Sequence, residues 1–338
     1  MIRPLAAQDL PAVAAIDASL AGRARREYFG RRLAAAQRDP ERHLQLAAQE
    51  NGRLAGFMLG RALEGEFGRS EPAVRVEAFG VVAAAQGRGL GAALAGAFEQ
   101  EAARRGLREI RTTALLRERS LLAFFDRSGF RLAPVHVLDC ILDQAELGSR
   151  RELPVASAAG PVDPNDYGAP RAAQVEFLAR DRIEVGVLGE SDMEGVARVD
   201  RRLTRRDRRG YLCRTLREAL GDSAVRVSLA ARVDGSVAGY LTARMDYGDF
   251  GRTEPVAVID TVGVDPLRAR RGIGRALLSQ LFMNLAGLGA ERVETVVAPA
   301  NLELMGFFYS AGFTPSERLS FLKQLWDPPA AVRAGRRL

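Results

Sequence analysis

A chain of 338 residues can hold two ordinary domains, each large enough to bury its own core. With 47% hydrophobic and 27% charged residues, its composition is that of a soluble globular protein, and no apolar run reaches the roughly 18 residues of a membrane span. The net charge of +7 rests almost wholly on arginine, with Lys323 the only lysine, so it reads as surface chemistry and a nucleic-acid partner is not expected.

The first segment carries Asp9 and Asp17 and lacks the unbroken apolar core of a secretory signal, so cytoplasmic residence is expected. Cys140 and Cys213 stand alone, without a CxxC pair, and His43 and His136 are the only histidines. A thiolate zinc site, a disulfide framework, a histidine metal site and a Ser/His/Asp triad are therefore not expected, and no metal is called for. The densest basic run is Arg201, Arg202, Arg205, Arg206, Arg208 and Arg209, interrupted by Asp200 and Asp207. It reads either as a solvated helical face or as an anion site.

The sequence repeats. The octapeptide beginning at Gly65 (Gly-Glu-Phe-Gly-Arg-Ser-Glu-Pro) returns at Gly248 as Gly-Asp-Phe-Gly-Arg-Thr-Glu-Pro, 183 positions on. The same shift carries Asp17 to Asp200, Tyr28 to Tyr211, Gly56 to Gly239, Gly89 to Gly272 and Gly129-Phe130 to Gly312-Phe313. One register held across a whole domain means duplication. The division expected is a first domain over 1–147, a linker rich in Pro, Gly and Ala over 148–181, a second domain over 182–328, and a basic tail over 329–338.

Each copy reads in parallel along the chain. Asp9 and Asp192 precede runs with helical apolar spacing and are expected as N-caps. A second amphipathic helix is predicted near 28–36 and 211–220. Strands at 44–48 and 54–59 flank Asn51-Gly52, and those at 225–231 and 237–243 flank Asp234-Gly235, so each pair predicts a hairpin. A third strand (74–82; 256–264) runs into a glycine turn that opens a helix with an apolar stripe, Leu90, Leu94 and Phe98 or Ile273, Leu277 and Leu281. A short strand (109–113; 292–297), a helix (119–127; 302–310) and closing strands ending with 135–142 or 318–325 complete the copy. Strands cluster before the glycine helix, which predicts an α+β fold and excludes a doubly wound one.

The turn reads Gln86-Gly87-Arg88-Gly89-Leu90-Gly91 in the first copy and Ala269-Arg270-Arg271-Gly272-Ile273-Gly274 in the second. A helix start offers unpaired N–H groups, and glycine lets a phosphate come close to them, so a pyrophosphate is the expected ligand. Neither a G-x-G-x-x-G dinucleotide fingerprint nor a P-loop is present.

These turns, the later helices ending in Gly129-Phe130 and Gly312-Phe313, and the opening Ile2-Arg3-Pro4-Leu5 resemble the GCN5-related N-acetyltransferase (GNAT) superfamily. The resemblance covers nearly all of both repeats. It implies two tandem GNAT-like domains, each a mixed, mostly antiparallel, splayed sheet flanked by helices, with acetyl-CoA as co-substrate and its pyrophosphate on the turn. It further implies that backbone around Val81 and Val264 pairs with the pantetheine arm, and that Asn301, absent from the first copy where Glu118 stands, belongs to the cofactor side. The tyrosine that the family often places four residues before the Gly of Gly-Phe is replaced by Phe125 and Phe308, with Tyr309 one position further on.

Transfer of this kind needs a base for the attacking amine. Glu77 and Asp260, at equivalent positions on mostly apolar strands, are the candidate bases; a solvent-facing strand position is the alternative. Tyr28 and Tyr211 are either acceptor contacts or buried anchors. The reading is an acetyl-CoA-dependent N-acyltransferase whose acceptor is a small amine or a protein amine, the alternative being a non-catalytic acyl-CoA sensor. The two domains are expected to form an intrachain pseudo-dimer.

Overall fold

Helix α1 (Leu10–Ala21) carries Pro11 in its first turn and ends at Gly22, whose φ of 72° is a left-handed stop. Its counterpart α5 (Met193–Thr204) ends the same way at Arg205, with φ 58°. The expected capping role of Asp9 and Asp192 is corrected. Neither side chain caps the long helix; they accept instead from Ala6 N (2.8 Å) and Gly189 N (2.9 Å) at the head of a preceding single turn. Arg3 and Arg232 hold these carboxylates from the other side.

The computed structural model describes residues 1–22, 25–63, 72–142, 183–221, 227–246 and 256–325. The repeated octapeptide (all but Pro72), the linker and the tail lie outside the described residues.

The remaining elements of the first half are β1 (Ile2–Pro4), α2 (Arg26–Arg38), β2 (His43–Glu50), β3 (Arg53–Leu63), β4 (Ala73–Val81), α3 (Leu90–Arg104), β5 (Glu109–Leu115), α4 (Arg119–Arg127), β6 (Arg131–Leu132) and β7 (His136–Ile141). The second half continues with β8 (Ile183–Val187), α6 (Arg209–Gly221), β9 (Leu229–Val233), β10 (Ser236–Asp246), β11 (Val256–Val264), α7 (Ile273–Gly287), β12 (Arg292–Val297), α8 (Leu302–Ser310), β13 (Thr314–Pro315) and β14 (Arg318–Gln324). Both hairpins form on the dipeptides that predict them, with φ of 49° and 76° at Asn51-Gly52 and 52° and 70° at Asp234-Gly235. The edge strands β1 and β8 are too short to show a period in the sequence.

Two seven-stranded sheets result, ordered β1-β2-β3-β4-β5-β14-β6 and β13-β7-β12-β11-β10-β9-β8. The closing strands are thus exchanged. β7, from the first half, lies between β13 and β12 of the second sheet, and β14 takes the reciprocal place between β5 and β6 of the first. Leu138, Cys140 and Leu142 consequently belong to the core of the second lobe, and Phe321 to that of the first. Such a buried apolar side chain stabilises by about 1.5–3 kcal/mol, so each lobe leans on the other's strand. Polar contacts follow the same exchange: Arg292 to Asp139 (2.7 Å), Gln324 to Glu109 (2.6 Å) and Lys323 to Glu99 (2.6 Å).

Among the described residues each sheet has one parallel pair, and that pair forks. β4 and β5 pair from Ala73↔Glu109 to Arg75↔Arg111 and then part; β11 and β12 pair from Val256↔Arg292 to Ile259↔Thr295 and then part. Each fork opens toward the glycine turn at the end of its first strand. Among the described residues no helix is long and apolar enough to cross a membrane.

Candidate active site

The fork, the turn and the helix after it form one candidate site in each lobe. In the first lobe Val81 ends β4, a short helical turn covers Ala83–Ala85, and Gly87 and Gly89 take φ of 73° and 84° before Leu90 begins α3. In the second, Val264 ends β11, Asp265 caps the short turn through Leu267 N (3.1 Å), and Arg270 and Gly272 take φ of 60° and 80° before Ile273 begins α7. The backbone path is therefore the same although Arg270 stands where the first copy has glycine. A left-handed arginine costs about 1 kcal/mol, so the turn is held by its surroundings.

A Cβ built on Gly87, Gly89 or Gly272 meets nothing within 4 Å, which leaves the face of both turns open. Arg88, Arg270 and Arg271 are exposed beside them. The first N–H groups of α3 and α7 have no partner within the helix and point outward with the positive end of its dipole. Gly91 and Gly274 sit one residue in, where a Cβ would stand 3.1 Å from Phe79 and 2.9 Å from Phe307. The residues present thus fit a pyrophosphate.

Glu77 and Asp260 share a feature that periodicity conceals: each is the extra residue of a β-bulge. Leu59 pairs with Ala78 and Gly60 with Val76, which skips Glu77; Thr242 pairs with Thr261 and Ala243 with Ile259, which skips Asp260. A bulge re-aims a side chain, and both stand where the fork begins. Their surroundings are not the apolar ones their strands suggest. Glu77 is 1% exposed, with Arg32, Arg61 and Arg75 at 3.3, 3.5 and 3.6 Å from its Oε1. Asp260 is ion-paired with Arg244. Arg75 stands two residues from Glu77 on the same strand, but Arg32 comes from α2, Arg61 from β3 and Arg244 from β10, out of reach of a reading of one strand. Burial and the nearby Arg244, Arg75 and Arg32 pull Arg61 down to about 10, against the opposing pull of Glu77. His43 is lowered to about 4, chiefly by burial.

Asn301 caps α8 by accepting from Leu304 N (3.1 Å), so its side-chain oxygen serves the helix. Glu118, at the equivalent position, accepts from Leu115 N (2.7 Å). Phe125 and Phe308 are buried, and Tyr309 is exposed. Tyr28 and Tyr211 are also buried. Tyr211 lies beneath Arg208, and its hydroxyl is 3.4 Å from Thr261 Oγ1.

The arginine run is largely paired: Arg208 with buried Asp200, Arg202 with Asp265, Arg201 with Asp207 (3.5 Å) and Arg209 with Glu194 (3.0 Å). Asp200 also accepts from Tyr240 (2.6 Å), a contact with no counterpart in the first lobe, where Phe57 stands. Among the described residues no cluster of three or more His, Cys, Asp or Glu side chains is placed to hold a metal ion.

A mixed sheet that forks between two parallel strands, with a glycine turn and helix at its mouth, defines the acyltransferase class of α+β domain, here present twice. The acetyltransferase (GNAT) family model matches residues 11–130 and 197–313, and the chain belongs to that family. Among solved structures it is similar, at 18% identity and TM-score 0.62, to a GCN5-related glucosamine N-acetyltransferase region of a fungal multi-domain GH3 β-N-acetylglucosaminidase, over 95% of this chain and 38% of that one. It is similar at 17% and 0.60 to a tandem GNAT protein from the clavulanic acid biosynthesis pathway (97% and 99% covered). The values are 17% and 0.56 for a GCN5-related N-acetyltransferase from Sphaerobacter thermophilus (97% and 96%). At these identities the likeness is one of fold. No curated protein matches the sequence.

Proposed function

We propose that the protein is an acetyl-CoA-dependent N-acyltransferase that moves the acetyl group to an amine by direct attack. The observation that carries this reading is the coincidence, in a member of this family, of an open glycine turn at the mouth of the fork with a bulged carboxylate at its apex. From Val264 back to Asp260 is four residues of extended strand, about 13 Å at ~3.3 Å per residue, which suits a pantetheine arm laid along the strand. Two of the similar solved structures are named as N-acetyltransferases, which supports nitrogen as the accepting atom.

The amine gives up its ammonium proton to a carboxylate at the fork apex, Glu77 or Asp260. Its nitrogen forms the bond to the thioester carbonyl carbon, and the bond from that carbon to sulfur breaks. CoA leaves as thiolate and takes a proton from solvent, because Phe125 and Phe308 have none to give. Strand N–H groups facing the fork stabilise the charge that develops on the carbonyl oxygen. The acceptor is a small amine or a protein amine, and the protein acts in the cytoplasm.

Thiol release from acetyl-CoA, followed over a panel of small amines and peptide N-termini, tests the reading. Amine-dependent release is expected, falling at least 100-fold when the carboxylate of the working lobe becomes an amide (Glu77→Gln or Asp260→Asn). Binding of acetyl-CoA without turnover toward any amine would make the protein an acyl-CoA sensor; no binding at all would end the proposal.

A further inference from the structure

The two forks differ in what stands inside them. In the first lobe Phe79 lies four residues beyond Arg75, the last residue of β4 to pair with β5. Its ring stacks on Phe124 of α4, with centroids 4.9 Å apart and planes at 16°. Both rings also reach α3, since a Cβ on Gly91 would lie 3.1 Å from Phe79 and 3.4 Å from Phe124. One aromatic pair thus joins the strand and the two helices that border the fork. In the second lobe the position 183 residues on is Val262, and the three atoms nearest a Cβ on Gly274 belong to Phe307 and Val264.

The backbone differs in the same sense. Val82 N donates to Ala55 O (2.9 Å), across to β3, so the Val81 carbonyl points the other way, into the fork. There Gln86 Nε2 donates to it at 3.0 Å. In the second lobe Asp265 N donates to Ala238 O (2.8 Å), which aims the Val264 carbonyl into its fork, and Ala269 has no side-chain donor to meet it. The charges point the same way. Exposed Arg270, Arg271 and Arg275 surround the second turn, whereas the equivalent residues of the first are Gly87, Arg88 and Ala92, with Arg88 3.5 Å from Glu50.

We infer that the first fork is filled by its own side chains, the Phe79–Phe124 stack and the Gln86 amide, and that acyl-CoA binds in the C-terminal lobe only. This rests on the function proposed above and narrows it. The first lobe serves as scaffold, lending β7 to the lobe that binds, and Asp260 becomes the base of the working site.

Calorimetric titration of the full chain with acetyl-CoA tests it. The expected count is one molecule per chain. Arg271→Glu combined with Arg275→Glu, both on exposed positions, is expected to weaken binding at least 10-fold, and Arg88→Glu to leave it unchanged. Gly272→Glu should abolish binding, with a thermal melt to confirm folding. Opening the first fork with Phe79→Val and Gln86→Ala should raise the count to two. Two sites in the wild type, weakening by Arg88→Glu alone, or a count that stays at one in the opened variant would overturn the inference and leave the proposed function standing. No binding by the wild type would overturn both.

Discussion

His43 begins β2 among charges of both signs, with Glu77 favouring its protonated form and Arg61 and Arg32 opposing it, yet burial dominates and the imidazole is neutral down to about pH 4. An unfolded histidine titrates near 6.5. Between those values the unfolded chain binds a proton that the folded chain does not. The contribution is therefore complete above pH 6.5 and is lost as pH falls toward 4, amounting to roughly 2–3 kcal/mol. Urea unfolding at pH 7.5 and 4.5 should show a fall in stability that is smaller by about this amount in His43→Gln; an equal fall in both proteins would refute it. At this scale the sequence spoke unevenly. The turn glycines were legible because a left-handed φ restricts the residue type. The setting of Glu77 was not, because two of its three arginines, Arg32 and Arg61, arrive from α2 and β3, and only Arg75 shares its strand.

Helices, hairpins and the turn-bearing strands were readable as elements, since Asn51-Gly52, Asp234-Gly235 and the 3.6-residue stripes act locally. The bulges at Glu77 and Asp260 escaped, for a bulge is a relation between two strands and leaves the alternation of one strand nearly intact. The packing of β3 on α3 shows how the copies have drifted together. A Cβ on Gly60 collides with the Phe98 ring and comes within 3.0 Å of Arg75 O, whereas the second copy has Ala243 at the strand position and Leu281 at the helix position. Gly60→Ala should cost about 1–3 kcal/mol, and Phe98→Leu in the same chain should recover a good part of it. Denaturant midpoints of the single and double variants measure the coupling. Strictly additive losses would mean that the two positions do not share the space.

At the scale of the whole molecule, duplication was evident from one register held over both halves, but the exchange of β7 and β14 was not. Both strands are apolar enough for either sheet, and two copies so alike offer each of them two equivalent places. The consequence is that neither repeat contains a complete sheet of its own. The buried Arg318–Glu294 pair (3.3 Å), which joins β14 of the first sheet to β12 of the second, further ties the lobes together. Within that common frame the forks diverge: Phe79 stacks on Phe124 in the first lobe, whereas Val262 stands at the equivalent of Phe79 in the second, with exposed arginines at its turn. The most direct measurement is a crystal structure of the full chain grown with saturating acetyl-CoA. The expected result is a pantetheine arm between β11 and β12, its pyrophosphate on the Gly272 turn, and nothing between β4 and β5; an arm in the first fork, or in neither, would contradict it.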